Sequence, residues 1–438
     1  MNLEQFIDIA KSAGFFERGR DVFVARAPGR LDVMGGIADY SGSLVLQQPI
    51  AEATFAAAQP MGGKQLEVVS LGDPVRRCVI KLEPIEYAEA RERFAGSPND
   101  GWKAYVAGIF LVLMRECGVS LNGGAKVLIS SNVPEAKGVA SSAALEVAVM
   151  QAVRGAFGID LPPHRMALLC QMAENLVAGA PCGVMDQMTS ACGEEDSLLA
   201  LLCQPADLQP PVKVSSGIRF WGLDSGERHA VSGSDYGSVR CGAFMGFRII
   251  ACDDAANGYL ANISVEEFER GHRQRLPEEI SGEEFLRRYG GTADRITTVE
   301  PSRVYKVRHP AAHPVYEHAR VREFRELLLA PPDHAIFGRL GALMFQSHNS
   351  YRACGLGSKG TDLLVDLVRA AGPAAGLYGA RITGGGCGGT VAVIGEKDSE
   401  QAIQEIVEQY RSATGYRPYV FSGSSPGASR FGVARLQL

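Results

Sequence analysis

The sequence lacks the features that would place it in a specialised class of protein. No apolar run reaches the length of a membrane span, and Glu4 and Asp8 interrupt the apolar core that an N-terminal secretion signal needs. No repeat of fixed period and no low-complexity tract is present. These absences predict a globular cytoplasmic protein with no membrane partner.

Cysteine and histidine are too scattered to predict a disulfide framework or a metal centre. The ten cysteines contain no Cys-x-x-Cys pair, which is typical of reduced thiols in cores and loops. His309, His313 and His318 resemble a run of metal ligands, but Pro310 and Pro314 are expected to interrupt the helix that would align them. We therefore expect no metal site at these histidines.

Positive charge is not in excess either. The 438 residues include 44 basic and 49 acidic side chains, a formal net charge of −5. A protein that binds a phosphate polymer usually carries a basic surface, so nucleic acid is not an expected partner. At roughly 100 to 200 residues per domain, a chain of this length is expected to form two or three domains.

Residues 204–211, QPADLQPP, mark the clearest change in composition, because three prolines follow an apolar run. We predict a domain boundary here, with domains at 1–207 and 208–438. Helices and strands alternate irregularly after the boundary, which predicts an α+β fold class and not a doubly wound sheet. Helices are predicted over residues 141–158, 162–178, 239–257, 315–330, 334–351 and 359–371, and strands over 22–28, 125–131, 377–383, 390–395 and 417–421.

Glycine is the residue in clear excess, at 51 of 438, and its clusters indicate where the backbone bends or approaches a ligand. The first cluster, APGRLDVMGGIADYSG at residues 27–42, follows a predicted strand and carries Arg30, Asp32 and Asp39. A cation and carboxylates among small residues can surround a polar ligand. A wide turn with solvated charges would have the same composition.

The second cluster, PEAKGVASSAALEVA at residues 134–148, joins a predicted strand to a predicted helix. Such a junction presents free backbone N–H groups and the positive end of the helix dipole, which suit a phosphate, and Ser141 and Ser142 add hydroxyls. It is not a Walker A loop, because Lys137 precedes the glycine. A capped, closely packed helix is the alternative.

The third cluster, residues 380–395, contains Gly384, Gly386 and Gly389 in the G-x-G-x-x-G spacing. A strand follows these glycines where a dinucleotide site needs a helix N-terminus, so a dinucleotide site is excluded. The turn is expected to support a neighbouring loop.

Two acids in residues 170–190 form a fourth candidate. Glu174 and Asp186 lie on either side of a Gly-Ala-Pro-Cys-Gly turn, which can bring both carboxylates into one cleft, one to hold Mg²⁺ and one to contact a hydroxyl. Taken alone, two acids at this spacing are more often surface residues.

These four segments, in this order, resemble the GHMP small-molecule kinases, and specifically the galactokinase branch. The resemblance continues in WKAYVAGI at 102–109, SGERHAVSGSDYGSVR at 225–240 and SHNSYRACGLGSKGTDLL at 347–364, and so covers nearly the whole chain. Among sugar 1-kinases, the first motif is most similar to that of the plant-type L-arabinokinases.

The resemblance implies a two-domain GHMP kinase fold: an N-terminal domain like domain 2 of ribosomal protein S5, a ferredoxin-like C-terminal domain, and a cleft between them. It implies ATP and Mg²⁺ as cofactors and a small sugar as substrate. Asp186 matches the catalytic base with Arg30 beside it, and Ser142 and Glu174 match the Mg²⁺ ligands. The other matched positions are Trp102, Pro134, Gly138, Val139, Ala140, Ser141, Ser142 and Ala143 for ATP, Asp39, Gly36, Ile37, Asp32, Gly183 and Tyr236 for the sugar, and Gly384, Gly385 and Gly386 for a supporting loop.

The first motif departs from the galactokinase pattern at three positions. Galactokinases usually carry Asn where this chain has Asp32, and Glu-His where it has Gly36 and Ile37. That Glu-His pair lies toward the hydroxymethyl end of galactose, so its loss leaves the 6-hydroxyl without a partner, at a cost of about 1 to 3 kcal/mol. β-L-arabinopyranose lacks carbon 6, and we therefore expect phosphorylation of L-arabinose to L-arabinose 1-phosphate.

Two other functions remain open at this point. One is a D-galactokinase, and the other is a non-catalytic sugar and ATP sensor, although Asp186, Glu174 and Arg30 are all retained. An isoprenoid-type kinase is disfavoured by Asp39 and Tyr236. The choice between monomer and homodimer, the nucleotide preference and the role of residues 253–314 are not predicted.

Overall fold

Strands and helices account for most of the chain in the computed structural model, which describes residues 1–72, 74–95, 101–121, 123–227, 234–251 and 258–437. In chain order the strands are β1 Asp21–Met34, β2 Leu44–Met61, β3 Gln65–Leu71, β4 Arg76–Lys81, β5 Gly124–Ser131, β6 Ser197–Leu202, β7 Asp207–Lys213, β8 Ile218–Asp224, β9 Glu279–Ser281, β10 Val304–Lys306, β11 Leu377–Ile382, β12 Thr390–Glu396, β13 Val420–Ser422 and β14 Ala434–Gln437. The helices are α1 Leu3–Ser12, α2 Tyr87–Phe94, α3 Gly101–Glu116, α4 Ser141–Phe157, α5 Pro163–Met172, α6 Met185–Cys192, α7 Ser234–Ala251, α8 Val265–Glu267, α9 Gly282–Tyr289, α10 Arg308–Leu329, α11 His334–Cys354, α12 Lys359–Ala371, α13 Glu400–Thr414 and α14 Ala428–Phe431.

The first sheet is built around the long strands β1 and β2, which pair antiparallel. Its order is β14-β1-β2-β5-β3-β4, with β6 pairing β2 and β7 pairing β6. Helices α3 to α6 cover one face, and the main core lies between helix and sheet, where Phe110, Val147 and Met150 are completely buried. This layer holds both ends of the loop between β5 and α4 in place.

The second sheet is antiparallel, in the order β11-β12-β8-β13. Trp221 of β8 and Val393 of β12 are buried against Leu364 of α12 and Ile406 of α13. Its strand β11 ends in the turn that carries the third glycine cluster, so this sheet presents that turn to the first sheet. The two sheets with their helices confirm the expected α+β class.

The chain passes from the first sheet to the second between Lys213 and Ile218, because β7 still pairs with β6. The last strand, β14, returns to pair with β1. The first sheet therefore contains strands from both sides of residue 207, and the boundary between 1–207 and 208–438 stays a prediction.

The histidine run at 309–318 lies on a helix, so the expected interruption was wrong. Helix α10 continues through Pro314, because Pro310 lies in its first turn and one missing N–H does not end a well-packed helix. His313 hydrogen-bonds Ser350 at 2.7 Å, and His318 Nδ1 accepts from the Leu44 amide at 3.0 Å. Across the described residues, no group of three or more His, Cys, Asp and Glu side chains is placed to hold a metal ion.

The described part of the segment at 253–314 forms a small unit of its own, and residues 253–257 lie outside the described residues. Helices α8 and α9 and the antiparallel strand pair β9 and β10 pack on α7 and α10 around a core that includes Phe268, Phe285 and Tyr305. Helix α7 is described as far as Ala251, and residues 252–257 of the helix expected at 239–257 lie outside the described residues. No helix among the described residues is both long enough and apolar enough to cross a membrane.

Candidate active site

The candidate site lies where the loop between β5 and α4, the end of β1 and the turn between β11 and β12 meet. Arg30 of β1 joins two of these elements to helix α6. Its Nε donates to Asp186 Oδ1 at 2.8 Å, its Nη2 lies 2.7 Å from the same oxygen, and its Nη1 donates to the Gly138 carbonyl at 2.6 Å. One guanidinium thus holds the predicted base and the predicted nucleotide loop together.

Asp186 lies in the first turn of α6, where the helix dipole favours a negative charge. Burial raises the pKa of its carboxyl above the ordinary value, and the Arg30 guanidinium opposes that rise. The Asp186 side chain is 20% exposed, whereas that of Arg30 is 3% exposed. The carboxylate is therefore accessible, and its charge is supported from the buried side.

The loop between β5 and α4 has the geometry of an anion cradle. Ala136, Gly138 and Ala140 all have positive φ, at 59°, 72° and 59°. Ala140 precedes α4 and offers no side chain to cap it, so no capping side chain occupies the first N–H groups of that helix, and they suit an anion. Of the other predicted ATP residues in this region, Val139 is buried, Pro134 is half-buried, and Ser141, Ser142 and Ala143 form the first turn of α4.

The predicted Mg²⁺ ligands come together beside this loop. The Ser142 hydroxyl hydrogen-bonds the Glu174 carboxylate, whose pKa is raised by burial and by Asp186. Gln187 Nε2 donates to Glu174 Oε2 at 2.5 Å and to Glu146 Oε2 at 3.1 Å, while Glu146 Oε1 is buried without a partner. A hydroxyl and a carboxylate next to a phosphate cradle fit Mg²⁺, which is commonly held by one or two protein oxygens plus nucleotide phosphates.

The third glycine cluster lies against the nucleotide loop. A β-carbon added at Gly384 would lie 2.9 Å from the Gly138 carbonyl, and one at Gly389 would lie 2.9 Å from the Lys137 carbonyl. Thr390 Oγ1 also donates to that Lys137 carbonyl at 2.8 Å. Gly385 and Gly386 lie in the same turn, where Gly386 approaches Leu356.

The predicted sugar residues Asp39 and Gly183 are in direct contact. Asp39 lies in the 3₁₀ turn at 36–41, is 5% exposed, and accepts from the Tyr40 amide at 2.6 Å. A β-carbon at Gly183 would lie 1.6 Å from Asp39 Oδ2, so only glycine fits there. Tyr236 of α7 is half-buried, with its ring 6.1 Å from that of Tyr40.

Asp32 and Gly36 lie behind these residues. Asp32 is completely buried; its Oδ2 pairs with Arg381 Nη1 at 2.9 Å, and its Oδ1 accepts from Gln47 at 2.7 Å and from the Gly36 amide at 3.1 Å. The Gly384 amide adds a 3.3 Å bond to Oδ2. Four donors from the chain thus surround the two oxygens of this buried carboxylate.

Gly36 has φ +46°, and its missing side chain points at a buried tyrosine. An added β-carbon would lie 1.7 Å from the hydroxyl oxygen of Tyr351, which is completely buried. That hydroxyl accepts from the Ile37 amide at 2.8 Å and donates to the Gly384 carbonyl at 3.0 Å. Tyr351 thus occupies the space that a residue-36 side chain would need.

Trp102 lies in the first turn of α3 and is half-buried against the main core. Five further residues, which were not predicted from the sequence, hold residues of the site in place: Tyr351, Arg381, Gln187, Arg240 and Asp294. Tyr351 and Arg240 lie within the motifs at 347–364 and 225–240 that carry the family resemblance, and Gln187 follows Asp186 directly. Residues this far apart in sequence give no local signal of their contacts.

Three family models match the chain. They are the GHMP kinases N terminal domain at residues 104–194, the GHMP kinases C terminal at 334–412, and the galactokinase galactose-binding signature at 14–60.

The curated relatives include an L-arabinokinase and several galactokinases. The L-arabinokinase of Arabidopsis thaliana is 44% identical over 97% of this chain, and the chain spans about half the length of that relative, at 48%. The galactokinase of Streptomyces coelicolor is 31% identical, with 94% of this chain and 97% of that protein covered.

Solved structures have the same fold. The galactokinase of Lactococcus lactis complexed with galactose matches with a TM-score of 0.78 and 21% identity, covering 99% of this chain and 100% of that one. A mevalonate kinase matches with a TM-score of 0.58 and 13% identity, covering 92% and 99%. With the glycine-rich loop, the paired Arg30 and Asp186 and these matches together, the chain belongs to the GHMP kinases, in the galactokinase branch.

Proposed function

We propose that this chain is an ATP- and Mg²⁺-dependent sugar 1-kinase that transfers the terminal phosphoryl group to the anomeric hydroxyl of L-arabinose. The observation that carries the proposal is the position of Arg30, which binds both Asp186 and the Gly138 carbonyl of the nucleotide loop. A transferred phosphoryl group must lie between the nucleotide and the acceptor hydroxyl, and an arginine that contacts both the proposed base and the proposed nucleotide loop is suited to stabilise it there.

Each residue then has a defined task. Asp186 accepts the proton of the anomeric hydroxyl, which is more acidic than an ordinary alcohol. Arg30 favours the ionised form of Asp186 and supplies positive charge near the transferring group. The N–H groups of the loop at 138–143 bind the phosphates, and Ser142 and Glu174 would hold Mg²⁺. When bound, the ion neutralises charge that develops on the phosphate oxygens.

The choice of L-arabinose rests on the sugar side of the site. Neither Gly36 nor Ile37 offers a polar side chain, and the hydroxyl of Tyr351 blocks the space at residue 36. The 6-hydroxyl of galactose would lose the polar partners that galactokinases provide, at about 1 to 3 kcal/mol. The 44% identity to an L-arabinokinase, against 31% to a galactokinase, supports the same substrate.

D-Galactose is the second candidate, because the galactose-binding signature matches residues 14–60. The test is kcat/KM for L-arabinose and D-galactose with ATP and Mg²⁺, measured in a coupled ADP assay. We expect L-arabinose to be favoured by about tenfold, the equivalent of about 1.4 kcal/mol. A tenfold advantage for galactose would overturn the substrate assignment, and the absence of sugar-dependent ADP formation would favour a sensor.

A further inference from the structure

An ion pair between Arg240 of α7 and Asp294 lies beside Asp39 and Gly183, the predicted sugar-binding residues. The proposed function does not use this pair. Arg240 Nε donates to Asp294 Oδ2 at 2.8 Å, and Nη2 donates to Oδ1 at 3.0 Å. The two side chains are 7% and 3% exposed. A bidentate, buried pair of this kind holds the guanidinium in one orientation.

The third nitrogen of the guanidinium reaches the loop that carries Gly183. Arg240 Nη1 donates to the Cys182 carbonyl at 3.2 Å, and the plane of the guanidinium lies over the ring of Tyr40, 5.3 Å from its centroid. Gly183 and Tyr40 are the chain neighbours of Cys182 and Asp39, respectively, and Asp39 contacts Gly183 directly. Arg240 therefore contacts both segments that form the sugar side of the site.

The charge of Arg240 acts on Asp39 as well. Burial and the neighbouring Asp186 raise the pKa of Asp39 to about 7, Asp32 adds to that rise, and Arg240 opposes it. An ionised carboxylate accepts hydrogen bonds on both oxygens, whereas protonation turns one of them into a donor and reduces that capacity. Arg240 thus affects both the position and the ionisation of Asp39, a residue predicted to bind the sugar.

Asp294 is itself held firmly in the segment between α9 and β10. Its Oδ2 accepts from the Thr297 hydroxyl at 2.7 Å, and its two oxygens accept from the amides of Ile296 at 3.1 Å and Thr297 at 3.3 Å. Burial alone would raise the pKa of Asp294, but the hydrogen bonds from Arg240 outweigh it and the pKa is lowered. The segment between α9 and β10 therefore holds the Asp294 carboxylate in a fixed position beside Arg240 of α7.

We propose that Asp294 and Arg240 are positioning residues for the sugar, and that the segment at 258–314 serves the active site through this pair. Asp294 orients Arg240, and Arg240 holds the Cys182 carbonyl and the turn of Asp39 at the spacing that the sugar needs. This inference rests on the proposed sugar kinase function.

The test compares KM for the sugar, KM for ATP and kcat in Asp294→Asn with those of the unchanged chain. Asparagine has nearly the same size but cannot balance the charge of Arg240. We expect the sugar KM to rise at least about tenfold, because a displacement of about 1 Å in a positioning group has effects of this order, while the ATP KM stays within about twofold. A purely structural role would lower the fraction of active enzyme, and hence kcat, without changing either KM.

Glu266→Gln is the matched control. It also removes a carboxylate from an ion pair of the same segment, but that pair with Arg270 is exposed, at 77% and 74%. Both KM values are expected to stay unchanged in this variant.

Thr297→Val and Arg240→Lys keep the proposal testable if Asp294→Asn does not fold. Valine removes only the 2.7 Å bond to Asp294, and lysine keeps the charge without the bidentate geometry. Each is expected to raise the sugar KM by about two- to fivefold. This effect is smaller than that of Asp294→Asn, because Arg240 or its substitute is displaced less. Sugar KM values within about twofold of normal in all folded variants would overturn the proposal, whereas an unchanged chain that turns over no sugar would overturn the proposed function instead.

Discussion

Two arginine–aspartate pairs begin from positions that are two residues apart on β1, yet they differ in what surrounds them. Arg30 pairs with Asp186, which is 20% exposed and receives both bonds on Oδ1. Asp32 pairs with Arg381, both are completely buried, and the two oxygens of Asp32 bind four protein donors. The first carboxylate can still accept a proton or a hydroxyl, and the second cannot.

The comparison shows that residue type alone does not distinguish Asp186, the proposed catalytic base, from the saturated Asp32. Both acids lie next to an arginine at hydrogen-bond distance, and both lie close to a glycine-rich loop. Exposure and the number of protein donors separate them. Removing a partner from the saturated pair is expected to affect stability, and changing the accessible acid is expected to affect the rate.

The largest effect is expected for Arg381→Met. It would leave Asp32 buried and uncompensated, which typically costs about 3 to 5 kcal/mol of the free energy of unfolding. Denaturant unfolding measures this loss, and Arg411→Met, in an exposed pair with Glu408, is the control with a loss below about 1 kcal/mol. A loss below 1 kcal/mol for Arg381→Met would contradict the structural role of the buried pair.

Asp186→Asn is expected to lower kcat by at least about a hundredfold, the usual scale for loss of a general base, and this equals about 2.7 kcal/mol of activation free energy. The side chain keeps its size, but the buried Arg30 guanidinium loses its charged partner, so the melting temperature should also fall. Steady-state kinetics and thermal unfolding on the same preparation check both statements. An unimpaired rate would remove Asp186 from the mechanism.

Gly36→Ala tests whether Gly36, like the buried pair of Asp32 and Arg381, affects stability and not sugar binding. The added carbon would meet the Tyr351 hydroxyl at 1.7 Å at a positive φ, so we expect a loss of about 1 to 3 kcal/mol in the free energy of unfolding. Gly36→Ala with Tyr351→Phe removes the clashing oxygen and should recover part of that loss. If the single variant kept full stability and changed only the sugar KM, Gly36 would belong to the pocket instead.

The smallest effect concerns pH. The pKa of Asp39 is about 7, so kcat/KM for the sugar should fall as the pH drops below 7, because the protonated carboxyl accepts fewer hydrogen bonds. A profile of kcat/KM from pH 5.5 to 8.5 in the unchanged chain measures this fall, the acid limb of the profile. In Asp39→Asn the sugar KM should be higher and should no longer depend on pH in this range. An unchanged acid limb in that variant would assign the titration to another group, such as Asp186.

Most of the elements could be predicted from local sequence. The helix expected at 141–158 is α4, Ser141–Phe157, and it ends at Gly158, whose φ of 62° is the left-handed conformation that glycine favours. The expected helix at 359–371 matches α12. Caps, glycine stops and apolar periodicity act over a few residues, so they are visible without the fold.

The interruption expected at Pro310 and Pro314 was wrong for a tertiary reason. Proline removes one N–H, but Pro310 lies in the first turn, and Pro314 is buried within α10, which continues through it. Local preference predicts a break there, and packing outweighs it.

The sequence by itself determined the family and the groups available for chemistry, because the glycine-rich loop, Arg30, Glu174 and Asp186 each lie in a short motif. Tertiary structure alone decided which acid stays partly exposed and which is saturated, since Arg381 meets Asp32 from 349 positions away. It also brought Asp294 to Arg240 across 54 positions. Burial and partner number arise from such distant contacts, so they depend on the folded chain.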